Sequence, residues 1–262
     1  MVNPVEDLAA LLQRQKAARI AEGPVNAAVR RDRLQRAIDM LVRHRDALCD
    51  ALDADFGNRP RVVSLTMDVM GAITSLKYAQ KHVARWMKPR HCKGVMPFSL
   101  FGARGWVEYQ PKGVVGILGT WNFPLYTMLA PLAYVLAAGN RSLIKPSELN
   151  PRTAETLARA VQECFDPAEV AVVNGGVDVG RAFAALPFDH LVLTGGTAVA
   201  KAVMRSAAEN LVPLTLELGG KSPVIVGRSA DPRMAAKRIM IAKGMNSGQL
   251  CINADYVYVA RE

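Results

Sequence analysis

From residue 113 to residue 209, four short apolar runs alternate with four helix-length segments, and this alternation constrains the fold more than any other feature of the sequence. The runs are Gly113-Val114-Val115-Gly116-Ile117-Leu118-Gly119, Arg141-Ser142-Leu143-Ile144-Lys145, residues 170–173 and residues 190–193; the helical segments are 124–137, 151–164, 177–186 and 197–209. The runs lack the in-out alternation of a sheet with one wet face, and the intervening segments are long enough to cross over, so the pattern predicts parallel strands covered on both sides. The expected fold class is therefore α/β, a doubly wound parallel sheet. Ligands of such sheets collect beyond the carboxyl ends of the strands. Thr120-Trp121-Asn122-Phe123-Pro124 follows the first run, Lys145-Pro146-Ser147-Glu148 the second and Thr194-Gly195-Gly196-Thr197 the fourth, so all three are predicted to meet on one edge.

Ahead of the sheet, residues 5–21, 25–56 and 62–87 read as helices, the second with Leu34, Ile38, Leu41, Val42, Leu48 and Leu52 along one side. They form an outer layer that needs a sheet to pack against. Residues 88–105 read as a connection and residues 106–110 as a strand. The net charge of +10 is concentrated here: residues 1–112 hold 19 Lys+Arg against 11 Asp+Glu, residues 113–262 hold 14 against 12. Apolar residues recur every three or four positions between these charges and no aromatics are interleaved, which favours solvated helix faces over a nucleic-acid surface. Cys49, Cys92, Cys164 and Cys251, like the four histidines, show no metal-ligand or disulfide spacing. No apolar run reaches the ~18–20 residues of a membrane span, so a cytoplasmic protein without membrane or nucleic-acid partners is expected.

Chemistry enters near the C-terminus. Gly244-Met245-Asn246-Ser247-Gly248-Gln249-Leu250-Cys251 places a thiol behind glycines and small polar residues, where the backbone can approach a ligand and the sulfur is not shielded by bulk. Upstream, Leu216-Glu217-Leu218-Gly219-Gly220-Lys221-Ser222-Pro223 sets a single carboxylate among apolar neighbours before a Gly-Gly turn. A nucleophile and a candidate base are both present.

These two segments resemble the signatures of the aldehyde dehydrogenase superfamily, and most closely its class 3 and coniferyl aldehyde dehydrogenase branch. The resemblance runs from about Leu34 to the end and implies a chain that stops about halfway through a full-length enzyme. By the resemblance, residues 1–218 form an NAD(P)-binding domain with a helical N-terminal layer, about 98–112 lie in a bridging strand region that reaches toward a partner subunit, and 219–262 begin a catalytic domain. It implies NAD(P)-dependent oxidation of an aldehyde, aromatic such as coniferyl aldehyde or medium-chain, to the acid. In this scheme Cys251 is the nucleophile, Glu217 the base that activates water for thioester hydrolysis, tuned by a partly apolar setting although its strand neighbours Leu216 and Leu218 can point away, and Asn122 an oxyanion donor, with the Cys251 backbone N–H as the second. NAD, with NADP as the alternative, would be held by Thr120, Trp121, Lys145, Pro146, Ser147, Glu148, Thr194, Gly195, Gly196, Thr197, Val199, Leu218 and Gly219. Glu148 near the ribose hydroxyls leans the choice toward NAD by repelling a 2′-phosphate. A homodimer is implied for the full-length form.

Gly196 stands where the family usually has Ser, and Ala200 where it usually has Gly, which predicts weaker dinucleotide binding. A carboxylate at 217 favours hydrolysis over acyl transfer to CoA, whose relatives generally lack the base. Two further readings compete: a cofactor-binding fragment without turnover, and a thiol hydrolase, for which only His190 offers a partner. If a second half is missing, exposed apolar surface and self-association follow.

Overall fold

The computed structural model describes residues 4–92, 94 and 96–261, with backbone alone for residues 4–6. The N-terminal layer consists of α1 (Pro4–Glu22), α2 (Ala27–Phe56), one turn α3 (Arg61–Val63) and α4 (Gly71–Trp86). Asn26 caps α2 by accepting the N–H of Ala28 and Val29, and Gly57 ends it at a φ of 77° that only glycine adopts without cost. The third helix is not continuous as its periodicity suggests. Ser64–Met70 is π-helical, and within that wide turn Asp68 is wholly buried.

Residues 88–105, expected to be a plain connection, contain a strand. β1 (Arg90–Cys92) pairs antiparallel with β2 (Gly105–Val107), with His91 opposite Trp106. All three β1 residues are exposed, so no buried alternation marks the strand in the sequence; backbone pairing alone makes it.

Five strands follow: β3 (Val114–Leu118), β4 (Arg141–Lys145), β5 (Val170–Val172), β6 (His190–Gly195) and β7 (Leu214–Leu218). They are all parallel in the order β5-β4-β3-β6-β7, the predicted doubly wound sheet. The connections are α5 (Tyr126–Ala137), α6 (Pro151–Cys164), α7 (Val177–Ala184) and α8 (Thr197–Ala208). On one face Val115, Ile117, Ile144 and Val170 pack with α2, α4, α5 and α6; on the other Val114, Leu143, Leu191 and Leu193 pack with α1, α7 and α8. The first face is covered over β3, β4 and β5. Over β7 it is open: Thr215 and Glu217 are exposed while Leu214, Leu216 and Leu218 turn to the opposite core. The strand order reverses between β3 and β6, so their carboxyl ends diverge into the crevice where doubly wound sheets bind ligands.

Beyond β7 a separate two-stranded parallel sheet pairs β8 (Ser222–Val226) with β9 (Ala254–Val259) across α9 (Pro232–Gly244). No residue of α9 is buried, and Ile225, Met240, Ile241, Tyr258 and Val259 are all more than half exposed, which leaves an open apolar surface on this part of the chain. No helix among the described residues is long and apolar enough to cross a membrane.

Candidate active site

The loop after β3 is held from behind. Gly119 lets α5 approach closely: a Cβ there would lie 2.5 Å from the Met128 side chain, which would have to move. At the first turn of α5, Asp68 accepts the N–H of Leu125 and of Tyr126, each at 3.0 Å, and so satisfies donors the helix cannot satisfy itself. Asp68 is paired with Arg59 at 2.8 Å, with side chains 0% and 2% exposed. The Arg59 guanidinium lies over the rings of Phe56 and Phe123 and donates to the Asn122 carbonyl at 3.4 Å. Burial pushes the Asp68 carboxyl up to about 6 against the pull of Arg59 and the two backbone donors, and burial also lowers Arg59. Desolvation is the larger influence on both partners, so the pair sets position rather than adding net stability. Sequence reasoning missed it; its one signal is an acidic residue within the otherwise uncharged Ser64-Leu65-Thr66-Met67-Asp68-Val69-Met70.

The thiol loop closes on the same carbonyl. Asn246 and Ser247 take φ of 47° and 56°, and Gly248 of 82°, a left-handed run that folds the segment back after α9. The Asn246 amide donates to the Asn122 carbonyl at 3.0 Å, and the Asn122 amide donates to the Gln249 carbonyl at 3.0 Å, two residues before Cys251. Asn122 therefore spans the two loops with one N–H engaged. Cys251 is a half-buried free thiol. The Gly-Gly turn after β7 runs beside it: a Cβ on Gly220 would stand 3.3 Å from the Cys251 carbonyl oxygen.

Asn122, Glu217 and Cys251 line one cavity of ≈ 940 Å³, together with Thr120 and Trp121. Thr194, Gly195, Gly196, Leu218 and Gly219 line it too. One expectation about Glu217 is corrected. Leu216 and Leu218 do not wrap it, because strand alternation sends them to the far core, and the carboxylate is exposed.

Lys145, Pro146, Ser147, Glu148, Thr197 and Val199 lie outside that cavity. Lys145 is buried and donates to the Pro146 carbonyl at 2.9 Å and to Glu148 at 3.2 Å. Glu148 is held below the usual carboxylate range, first by a hydrogen bond from its own backbone N–H and then by Lys145. Pro146 and Ser147 are buried in the turn, where the Ser147 hydroxyl accepts the Leu149 N–H. Thr197 opens α8 and Val199 is half exposed on its first turn. Gly196 precedes α8 with no side-chain cap and with no atom within 4 Å of a Cβ built on it, which leaves helix N–H groups facing open space where an anion can approach. Ala200 is buried, its methyl absorbed into the core.

His190 lines the same cavity, but at the amino end of β6, roughly 13 Å along the strand from Thr194. Its Nε2 meets the Thr215 hydroxyl at 2.8 Å, an engagement that speaks against a Cys-His pair. Burial, then nearby Lys112, lowers its pKa from 6.5. A base whose folded pKa is depressed binds fewer protons in the native state, so its contribution to stability is lost as pH falls below about 6.5. Melting curves of the protein and of His190→Gln should therefore converge as pH drops from 7.5 toward 5; parallel curves would contradict this.

The chain is 51% identical over 257 residues to a coniferyl aldehyde dehydrogenase of Pseudomonas sp. strain HR199, covering 98% of this chain and 53% of that protein. It is 53% identical over 254 residues to a probable coniferyl aldehyde dehydrogenase of Caulobacter vibrioides, covering 96% and 52%. Among solved structures, the substrate-bound state of Staphylococcus aureus AldH matches with a TM-score of 0.90 at 32% identity, covering 99% of this chain and 56% of that one. A Mycobacterium tuberculosis aldehyde dehydrogenase complexed with NAD+ matches with a TM-score of 0.87 at 30% identity, covering 98% and 53%. The chain thus spans about half the length of the relatives it matches. The sequence profile described as the aldehyde dehydrogenase family matches residues 5–262, and with the sheet order and the loops above, this chain belongs to that family.

Proposed function

We propose that this chain carries the cofactor cleft and the nucleophile of an NAD(P)-dependent aldehyde dehydrogenase that oxidises an aromatic aldehyde such as coniferyl aldehyde, or a medium-chain one, to the acid. The observation that carries the proposal is that Cys251, Glu217 and Asn122 line one cavity, which reaches the carboxyl ends of β3, β6 and β7 and runs along the open face of the sheet. The Cys251 thiol releases its proton to solvent as the sulfur adds to the carbonyl carbon, and the oxygen that gains charge takes hydrogen bonds from the free N–H of Asn122 and the backbone N–H of Cys251. A bound nicotinamide would supply the hydride acceptor; the adduct's carbon gives up its hydrogen with the bonding pair as the carbonyl re-forms, and Cys251 is left as a thioester. Glu217 then takes a proton from water as that water attacks the thioester carbon, and the acid departs as the thiolate is released. The exposure of Glu217 fits a base that works from the solvent side.

The dinucleotide fits the residues present. The N–H groups at the start of α8 beside Gly195 and Gly196 would hold the pyrophosphate, and Lys145 with Glu148 the adenosine ribose, the carboxylate favouring NAD over NADP. Thr120, Trp121, Pro146, Ser147, Thr194, Thr197, Val199, Leu218 and Gly219 would form the rest of the cleft. A serine at 196 has room for its hydroxyl, so Gly196→Ser is expected to tighten NAD binding by about 1 kcal/mol, roughly fivefold, in a calorimetric titration. Unchanged affinity would remove Gly196 from the phosphate site.

In this reading residues 1–218 are the cofactor domain, 219–262 the beginning of the catalytic domain, 98–112 a bridging region between subunits of a homodimer, and the protein cytoplasmic. The open apolar surface on β8, α9 and β9 favours a second reading, in which this chain alone binds dinucleotide without turnover. Purified protein, coniferyl aldehyde and NAD+ separate the two. Aldehyde-dependent cofactor reduction that falls to background in Cys251→Ala supports the enzyme; dinucleotide binding without reduction supports the module, and turnover that survives Cys251→Ala contradicts the proposed nucleophile.

A further inference from the structure

We propose that a second cleft, between the end of α4, the end of α5 and the segment after β2, binds a small aromatic carboxylate. It is an open cleft of ≈ 490 Å³, within the size range of small-ligand sites, and its lining residues include four cations and no acid.

The argument begins with Arg30 on α2. Four arginines are buried among the described residues. Arg33 is paired with Glu22 and Glu169, Arg59 with Asp68, and Arg141 with Glu22, but no carboxylate of the described residues meets Arg30. Its Nε and Nη1 donate only to the carbonyls of Val25 and Ala137, each at 3.1 Å, and it is 5% exposed. A guanidinium taken out of water with neutral partners alone keeps an unmet demand for negative charge. Burial and the neighbouring Arg33 both lower its pKa, the direction expected where cationic charge is uncompensated. Gly139, at a φ of 84°, leaves the space beside it: a Cβ there would fall within 2.9 Å of the guanidinium.

Around that buried charge stand Arg85, Lys88 and Arg90, all exposed and none in an ion pair with another described residue. An anion seated in this cleft meets four cationic side chains and no acidic one. The forked donors of an arginine match the two oxygens of a carboxylate. The body of the ligand is set by the rest of the wall. Trp86 ends a ring series that runs through Tyr78 and His82, its centroid is 6.1 Å from Tyr134, and Tyr109 stands half exposed on the far side. Met87, Ala137 and Ala138 complete an apolar surface suited to a planar ring. Tyr134 also lines the cavity of Cys251, so the two sites share one side chain while using different chemistry.

The test is an isothermal titration of the protein with cinnamate, with cinnamamide, hexanoate and inorganic phosphate as comparisons, repeated on Arg85→Gln/Arg90→Gln. Both substituted residues are exposed, so circular dichroism of the variant should match the parent. One cinnamate per chain, an affinity that falls with added salt, and a loss of at least about tenfold in the double variant support the site. The proposal is overturned if cinnamate gives no saturable heat, or if the double variant binds it as well as the parent, which would place the ligand elsewhere. Equal binding of cinnamamide overturns the anionic half of the assignment, and equal binding of hexanoate or phosphate overturns the aromatic half.

Discussion

Asp68→Ala is expected to lower the unfolding free energy by about 3–5 kcal/mol, a large share of what holds a domain of this kind together. Removing the carboxylate strands the Arg59 charge at 2% exposure, and the N–H groups of Leu125 and Tyr126 lose their acceptor at the same time. Asp68→Asn keeps an acceptor for those donors and should cost less, while Asp68→Leu combined with Arg59→Met removes both charges and should recover part of the loss. Denaturant midpoints of the variants at constant slope read this directly. A change within about 0.5 kcal/mol for Asp68→Ala, the range of an ordinary surface substitution, would show that the pair does not anchor α5. Because Arg59 also holds the Asn122 carbonyl, the same substitution should loosen the loop that bears Asn122 and raise the rate at which Cys251 is alkylated.

Glu217→Gln should separate the two halves of the proposed reaction. Glutamine keeps the size of the side chain and cannot take a proton from water, so thioester formation on Cys251 is preserved and its hydrolysis is not. Rapid mixing with aldehyde and NAD+ is then expected to give a burst near one equivalent of reduced cofactor per active thiol, followed by a steady rate at least about a hundredfold below the parent. General base catalysis commonly contributes 10²–10⁴-fold, which sets that bound at about the lower end. Full steady turnover in the variant would remove Glu217 from the hydrolytic step.

The sheet was legible because its information is local. Each strand of β3 to β6 holds a short apolar stretch between helix-length segments, and the ends differ from expectation by a residue or two, as at His190–Gly195 against 190–193. The grouping of Asn122, Glu217 and Cys251 was legible only through the resemblance, since nothing in the sequence joins positions 122 and 251. What joins them is the carbonyl of Asn122, which takes hydrogen bonds from Arg59 and from Asn246, residues 63 positions before it and 124 after. Such bonds leave no periodic trace. The partly apolar setting expected of Glu217 is absent because neighbours in sequence are opposite faces in a strand, so Leu216 and Leu218 serve the other core. Arg30 escaped notice for a similar reason: in the sequence it is one more basic residue of a charged helix, and only folding shows that it is buried without an acid.

The most direct test of the central claim is covalent. Glu217→Gln protein mixed with coniferyl aldehyde and NAD+, then digested under acid and mapped by mass spectrometry, should carry the acyl group on the peptide containing Cys251 and on none containing Cys49, Cys92 or Cys164. An acyl group on another cysteine, or reduced cofactor formed with no acyl group on any, would contradict the account.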